Sequence, residues 1–192
     1  MLQGFDLNLP FWVQEFLDKC QDSYPTAKDK MRVAVELSRL NVLYKTGGPF
    51  GAAIFNRDNH QLVSVGVNIV VEEMCSMAHA EVIAIALAQK SCGCYDLGGD
   101  REVSYVLASS AQPCVMCFGS ILWSGVKELI CGALVEDVEK IVGFDEGPLP
   151  ENWKQELLKR EITVTTGILK EEALKVLELY VQEGGIVYNS RR

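Results

Sequence analysis

The sequence predicts an α/β fold in three layers, with a mixed sheet of about five strands covered by helices on both faces. Three observations carry this expectation. Two short strand-like runs, Gly51–Asn56 and Gln61–Val67, are joined only by the polar Arg57-Asp58-Asn59-His60, which suits a hairpin and an antiparallel pair. Three later strand-like runs alternate with helical segments, the pattern of strands joined by crossover helices. The chain has 192 residues and is 48% hydrophobic, long enough to bury a substantial core as one domain.

Residues before Thr26 are read as a helical extension. Thr26–Lys45 carries Met31, Val35, Leu37, Leu40, Val42 and Leu43 at mostly helical spacing, and Gly47-Gly48-Pro49 ends it. After the hairpin, a helix is expected from about Ala78 to Lys90 and a strand over Glu102–Ala108. Cys114–Trp123 reads as a short helix stopped by Ser124-Gly125, followed by a strand over Lys127–Ala133 and a helix over Glu136–Val142. Gly143–Pro150 is a loop rich in glycine, proline and acid; Glu151–Arg160 is helical again. Ile162–Thr166 alternates as a fifth strand, and Glu171–Glu183 forms a last amphipathic helix before the tail Gly184–Arg192. The single domain 1–192 thus divides into a core at 26–142 and an addition at 143–192 of loop, helix, strand, helix and closing tail. No repeat, low-complexity run or linker interrupts it.

Eighteen basic and twenty-six acidic residues give a formal charge of −8, which repels a phosphate backbone and argues against long nucleic acid as a partner. The start lacks a basic n-region, and Asp6 and Pro10 break its hydrophobicity, so no signal peptide is read. No apolar run approaches a membrane span. A cytoplasmic location is therefore expected. The seven cysteines are an odd number, and in a reducing compartment they point to metal binding or burial rather than a disulfide framework. Cys20, Cys75 and Cys131 sit in apolar surroundings and read as core thiols, while Cys92-Gly93-Cys94 has no neighbouring histidine or second pair to complete a metal site.

Only two histidines occur. His60 reads as a turn residue, but His79 opens an apolar helix as His79-Ala80-Glu81, and Pro113-Cys114-Val115-Met116-Cys117 opens another. Cys114 and Cys117, three apart, share a helix face, and a helix N-terminus favours the thiolate that a metal requires. One imidazole and two thiolates balance the charge of Zn2+ and leave the fourth tetrahedral position open, as in a catalytic rather than a structural site. Glu81 is placed to take a proton from a water at that position and hand it on. Each half alone is weak, since an acid suits the first turn of any helix and two small thiols suit any core. The combination is specific.

His79-Ala80-Glu81 with Pro113-Cys114-Val115-Met116-Cys117 resembles the signature of the cytidine deaminase superfamily, whose fold matches the three-layer arrangement expected above. Gly47-Gly48-Pro49-Phe50-Gly51-Ala52, Asn68, Trp123 and Gly143-Phe144-Asp145-Glu146 add a resemblance to the small bacterial guanine deaminases, some of which accept the triazine ammeline. The resemblance implies a zinc-dependent conversion of guanine to xanthine and ammonia, with Zn2+ on His79, Cys114 and Cys117. It further implies Glu81 and Glu146 as proton carriers, and Asn68, Phe50, Ala80, Trp123 and Phe144 as substrate contacts. Phe50 and Trp123 are equally consistent with core aromatics, Asn68 with a strand end, and Glu146 with a loop acid near a helix start.

The resemblance also implies a homodimer, in which an exchanged C-terminal segment closes the partner's pocket in some relatives. Two departures stand out. Gln112 replaces the glutamate that commonly precedes Pro-Cys, removing a charge beside the ligands but no ligand. The tail Val187–Arg192 differs from the tyrosine-ended tail of the other branch, so Tyr188 is read both as packing and as closure. The rival activities are deamination of cytosine, a nucleoside, a triazine or tRNA adenosine, the last disfavoured by the acidic charge. A non-catalytic zinc-stabilised module is the rival of a different class, and it has no use for Glu81.

Overall fold

In a computed structural model, residues 8–99 and 102–189 are described. Residues 1–7 of the expected extension, 190–192 of the expected tail, and 100–101 lie outside the described residues. The helical extension is α1 (Trp12–Leu17), and α2 (Ala27–Leu43) follows. The remaining elements are β1 (Gly51–Asn56), β2 (Leu62–Val67), α3 (Ala80–Cys92), β3 (Tyr105–Ala111), α4 (Val115–Ser124), β4 (Glu128–Ala133), α5 (Val135–Ile141), α6 (Trp153–Leu158), β5 (Thr163–Thr165) and α7 (Lys170–Gln182).

The sheet order is β2-β1-β3-β4-β5. β1 runs antiparallel to both β2 and β3, whereas β4 runs parallel to β3 and to β5. The expected five-stranded mixed sheet is therefore present. Local signals explain its elements: Thr26 and Asp29 form a reciprocal capping box at the start of α2, and left-handed Gly93 and Gly125 end α3 and α4. In the hairpin turn, the Asn56 carboxamide oxygen accepts from the backbone N–H groups of Asp58 and Asn59.

The strands alternate with a period of two. Ala53, Phe55, Val65, Val67, Val106, Ala108 and Ile130 join the core beneath α2 and α7, while Ala52, Ile54, Leu107, Leu129 and Cys131 join the core beneath α3, α4 and α6. Gly66 lets α3 press on the sheet, because a Cβ there would overlap the Ala80 carbonyl. Most boundaries shift by a few residues from the sequence reading, β3 starting at Tyr105 instead of Glu102. β3 continues to Ala111 because Ser109 and Ser110 stay in the ladder, β5 keeps only three residues at the sheet edge, and α3 starts at Ala80 because His79 is extended.

Candidate active site

Because β1 is antiparallel, it begins at the edge where β2 and β3 end; Gly51 pairs with Val67 and Ala52 with Ser109. Phe50 before β1, Asn68 after β2 and Cys114 beyond β3 therefore meet at one side of the sheet. His79 and Cys114 are the N-cap residues of α3 and α4, both in extended backbone. Two helix N-termini thus converge on the same point.

His79 Nδ1 lies 3.6 Å from Cys114 Sγ and 3.6 Å from Cys117 Sγ. All three donor atoms fall within 4.8 Å of one another. The Cys117 backbone N–H also points to Cys114 Sγ at 3.5 Å. The hydrogen bond with the Cys117 thiol pulls Cys114 down to about 4, helped by His79 and opposed by burial. The same hydrogen bond and burial push Cys117 well up, so one shared proton keeps the pair singly ionised. Burial lowers the His79 pKa, but its hydrogen bond and charge interaction with Cys114 outweigh this and raise it. One nitrogen and two sulfurs at this separation fit a zinc ion with a fourth position left over, and zinc held there supplies Lewis acidity and an acidified water.

Glu81 is 6% exposed on the first turn of α3. Its Oε1 accepts from Ser109 Oγ at 3.0 Å, and its Oε2 lies 3.3 Å from Cys117 Sγ. Burial first, then the charge of Cys114, raises its pKa, and a divalent cation among the thiolates offsets that second cause. Glu146 is 9% exposed in the loop after α5, and its backbone carbonyl accepts from the Val115 N–H at 3.0 Å, beside Cys114. Burial, then Cys114 and Glu81, pushes its carboxyl up to about 8. Burial thus raises both carboxyls, Glu81 against the thiol pair and Glu146 in the loop across the pocket.

A cavity of about 370 Å³ opens over these groups and is lined by Phe50, Asn68, Phe144, Glu146 and Tyr188, among others. Phe144 packs against Phe50 at 5.5 Å and against Tyr188 at 4.9 Å between ring centroids. Asn68, 1% exposed, donates from Nδ2 to the Tyr188 hydroxyl at 2.6 Å. A second cavity of about 420 Å³ lies between α1 and α2, and among the described residues the one cluster of three metal-ligating side chains lies outside it.

Two expected substrate contacts fall elsewhere. Trp123 is 85% exposed and faces a separate groove beside Tyr95 and Val82. It follows Cys117 by six residues, about 600° around the helix, which turns it well away from the metal face. The Ala80 side chain is fully buried in the core between α3 and β2 and is not among the pocket-lining residues. Of the thiols read as core, Cys131 is buried, while Cys20 and Cys75 are only half-buried because each sits in a loop between elements. Cys92 and Cys94 stand apart from the metal group.

Sequence reading passed over Ser109, whose signal was a polar pair, Ser109-Ser110, inside an otherwise apolar strand. A buried hydroxyl there requires a partner, and Glu81 is that partner. It also passed over Asn189, whose carboxamide donates to the Gly143 carbonyl at 2.8 Å and accepts from the Asp145 N–H at 2.8 Å. Tyr188 and Asn189 thus lie on the pocket of their own chain.

The geometry agrees with the comparisons. The guanine deaminase from Nitrosomonas europaea has 43% identity, covering 94% of this chain and 97% of its own, at a TM-score of 0.87. A structure solved in complex with 2,6-diaminopurine has 45% identity and a TM-score of 0.87, covering 97% of both chains. The tRNA-specific adenosine deaminase of Buchnera aphidicola is 30% identical over 67% of this chain and 77% of its own. Residues 25–133 match the cytidine and deoxycytidylate deaminase zinc-binding region, so the residue set that fits zinc sits inside a shared catalytic domain, and the chain belongs to the family of zinc-binding cytidine and deoxycytidylate deaminases.

Proposed function

We propose that this protein hydrolyses free guanine to xanthine and ammonia, using zinc on His79, Cys114 and Cys117. The observation that carries the reading is a single pocket in which a buried carboxamide, an aromatic wall and two buried carboxyls surround the metal-ligating group. Similarity to a guanine deaminase across 94% of the chain supports the substrate class.

In this reading the Asn68 carboxamide pairs with the purine edge, and Phe50, Phe144 and Tyr188 flank the ring. Glu81 takes a proton from the attacking water and passes it to a ring nitrogen. The water oxygen bonds to the carbon bearing the amino group. Glu146, protonated near neutral pH, delivers the second proton to the departing amine, the C–N bond breaks, and ammonia leaves. The second proton of the water, left on the new hydroxyl, passes to Glu146 as that oxygen becomes the carbonyl, so both water protons and the oxygen are accounted for and Glu146 is restored.

The test is ammonia release by the zinc-loaded protein across guanine, ammeline, cytosine, adenine, cytidine and guanosine. Guanine turnover is expected, with ammeline as a second substrate, and preference for another base overturns the substrate assignment. The formal charge of −8 supports a free base over a tRNA substrate. Among the described residues no helix is long and apolar enough to cross a membrane. We further propose a cytoplasmic homodimer, and the contacts of Tyr188 and Asn189 within their own chain favour a tail that closes its own pocket rather than an exchanged one.

A further inference from the structure

We infer that Asn41 is a positioning residue for Asn68, held in its working orientation by a hydrogen-bond relay that begins on the N-terminal helix α1. This rests on the proposed role of Asn68 at the substrate edge and extends it to residues that touch no substrate. The relay starts at Trp12, which precedes the matched residues 25–133.

Its direction follows from donor chemistry. An indole N–H can only donate, and Trp12 Nε1 donates to Thr46 Oγ1 at 2.8 Å. The Thr46 hydroxyl then donates onward to Asn41 Oδ1 at 2.9 Å, its alternative, the Asn41 backbone carbonyl, being at 3.5 Å. With Oδ1 so engaged, Asn41 Nδ2 faces two carbonyl oxygens, Gly48 at 2.8 Å and Asn68 at 2.8 Å. A flipped amide would set three oxygens against one another. Asn41 is fully buried, so no water can relieve such a flip.

The consequence falls on Asn68. Its carbonyl accepts from Asn41 Nδ2 and from the Gly48 N–H at 3.2 Å, while its N–H donates to the Phe50 carbonyl at 3.1 Å. Both ends of its backbone are thus fixed, and from that base the carboxamide reaches the Tyr188 hydroxyl at 2.6 Å and accepts from the Val70 N–H at 3.4 Å. Gly47 records how tight the arrangement is. Its φ of +149° favours glycine, and a Cβ there would overlap the Asn68 carbonyl oxygen and press on Asn41 Nδ2. Trp12 is itself anchored by stacking on Tyr44, with ring centroids 5.9 Å apart, so the relay is tied to packing rather than to solvent.

The experiment compares Thr46→Val, Thr46→Ser, Trp12→Phe and Asn41→Asp in the zinc-loaded enzyme, each alone and with Asn68→Ala. Thr46→Val should raise KM for guanine by about three- to tenfold, with kcat within about twofold and zinc content unchanged. Thr46→Ser, which keeps the hydroxyl, should behave as the parent. Trp12→Phe should shift KM in the same direction by a smaller factor, and Asn41→Asp by a larger one; if Asn41→Asp does not fold, Thr46→Val carries the test. In the Asn68→Ala background the Thr46→Val effect should shrink below about twofold, because both act through one residue. An unchanged KM in Thr46→Val, while Asn68→Ala raises KM, overturns the relay and leaves the role of Asn68 standing. A fall in kcat or zinc content that persists with Asn68→Ala means general loosening and also overturns it. If Asn68→Ala leaves KM unchanged, the reading beneath the proposal fails and takes the relay with it.

Discussion

Replacing Glu81 by glutamine removes a proton acceptor with almost no change in shape. The glutamine carbonyl can keep the bond from Ser109 Oγ at 3.0 Å, and its amide can face Cys117 Sγ across the present 3.3 Å. Fold and zinc content should therefore survive. A positioned general base contributes about 10²- to 10⁴-fold, or roughly 3 to 5.5 kcal/mol of barrier. The structure points to the upper end. Glu146, the other buried carboxyl at the pocket, is raised first by burial and hydrogen-bonds no closer to the thiol pair than through its backbone, so it is a poor substitute for Glu81 as the acceptor. Ammonia release from guanine should fall by about 10³- to 10⁴-fold, with zinc measured by elemental analysis near one per chain. Near-full turnover in a zinc-loaded Glu81→Gln protein would refute the proton-transfer reasoning.

Glu146→Gln should keep zinc and lower kcat by about 10- to 100-fold; unchanged turnover returns Glu146 to an ordinary loop acid. The folded pKa of Glu146 is raised from 4.5 to about 8, so the native state holds its proton longer than the unfolded chain. Its contribution to stability is full below about pH 4.5 and is lost as pH rises to about 8, at roughly 1.4 kcal/mol per pH unit. In chelated protein, the stability of Glu146→Gln relative to the parent should therefore improve with pH across that window, and a flat difference in urea melts contradicts it. With Cys114 already ionised, Cys117 protonated and the His79 pKa raised, zinc loading near pH 7 should release between about one and two protons. Calorimetry in buffers of different ionisation enthalpy reads that number, and zero release would exclude the thiol pair as ligands. Gly66→Ala would drive a methyl into the Ala80 carbonyl and the Ala84 N–H, costing about 1 to 3 kcal/mol. Thermal melts check it, and an unchanged melting temperature means α3 is free to shift.

The sequence carried the metal group and the layer order because both are local. His79-Ala80-Glu81 and Cys114–Cys117 each sit within one helical turn, and hydrophobic periods of two and 3.6 are written in adjacent residues. Trp123 shows where that reading stops. Its helix was legible, but its direction depended on where the helix turned relative to the sheet, six residues beyond Cys117. Asn41 shows a different gap. In sequence it is one polar residue in a helix, and its value comes from Gly48 and Asn68, the latter twenty-seven positions away. A buried amide that closes a loop leaves no periodic trace. Asn189 and Tyr188 are the same case at longer range, since Tyr188 meets Asn68 across 120 positions.

The division of the pocket also explains how one metal centre can serve different substrates. His79, Glu81, Cys114 and Cys117 all lie within the matched residues 25–133, on two helix starts that the sheet holds together. Phe144, Glu146, Tyr188 and Asn189 lie beyond it, in a loop and a tail buckled to each other by the Asn189 carboxamide. A tRNA-specific adenosine deaminase shares the first group's family with this chain at 30% identity. What separates the substrates must then lie largely in the walls, because the acid, the ligands and their helix caps belong to the shared domain. Beside Cys114 this boundary is crossed by the Val115 N–H on the Glu146 carbonyl at 3.0 Å, and farther along the pocket by Asn68 on the Tyr188 hydroxyl. The bond at Val115 lets the wall be rebuilt around a different ring while Cys114, one residue away, stays in place.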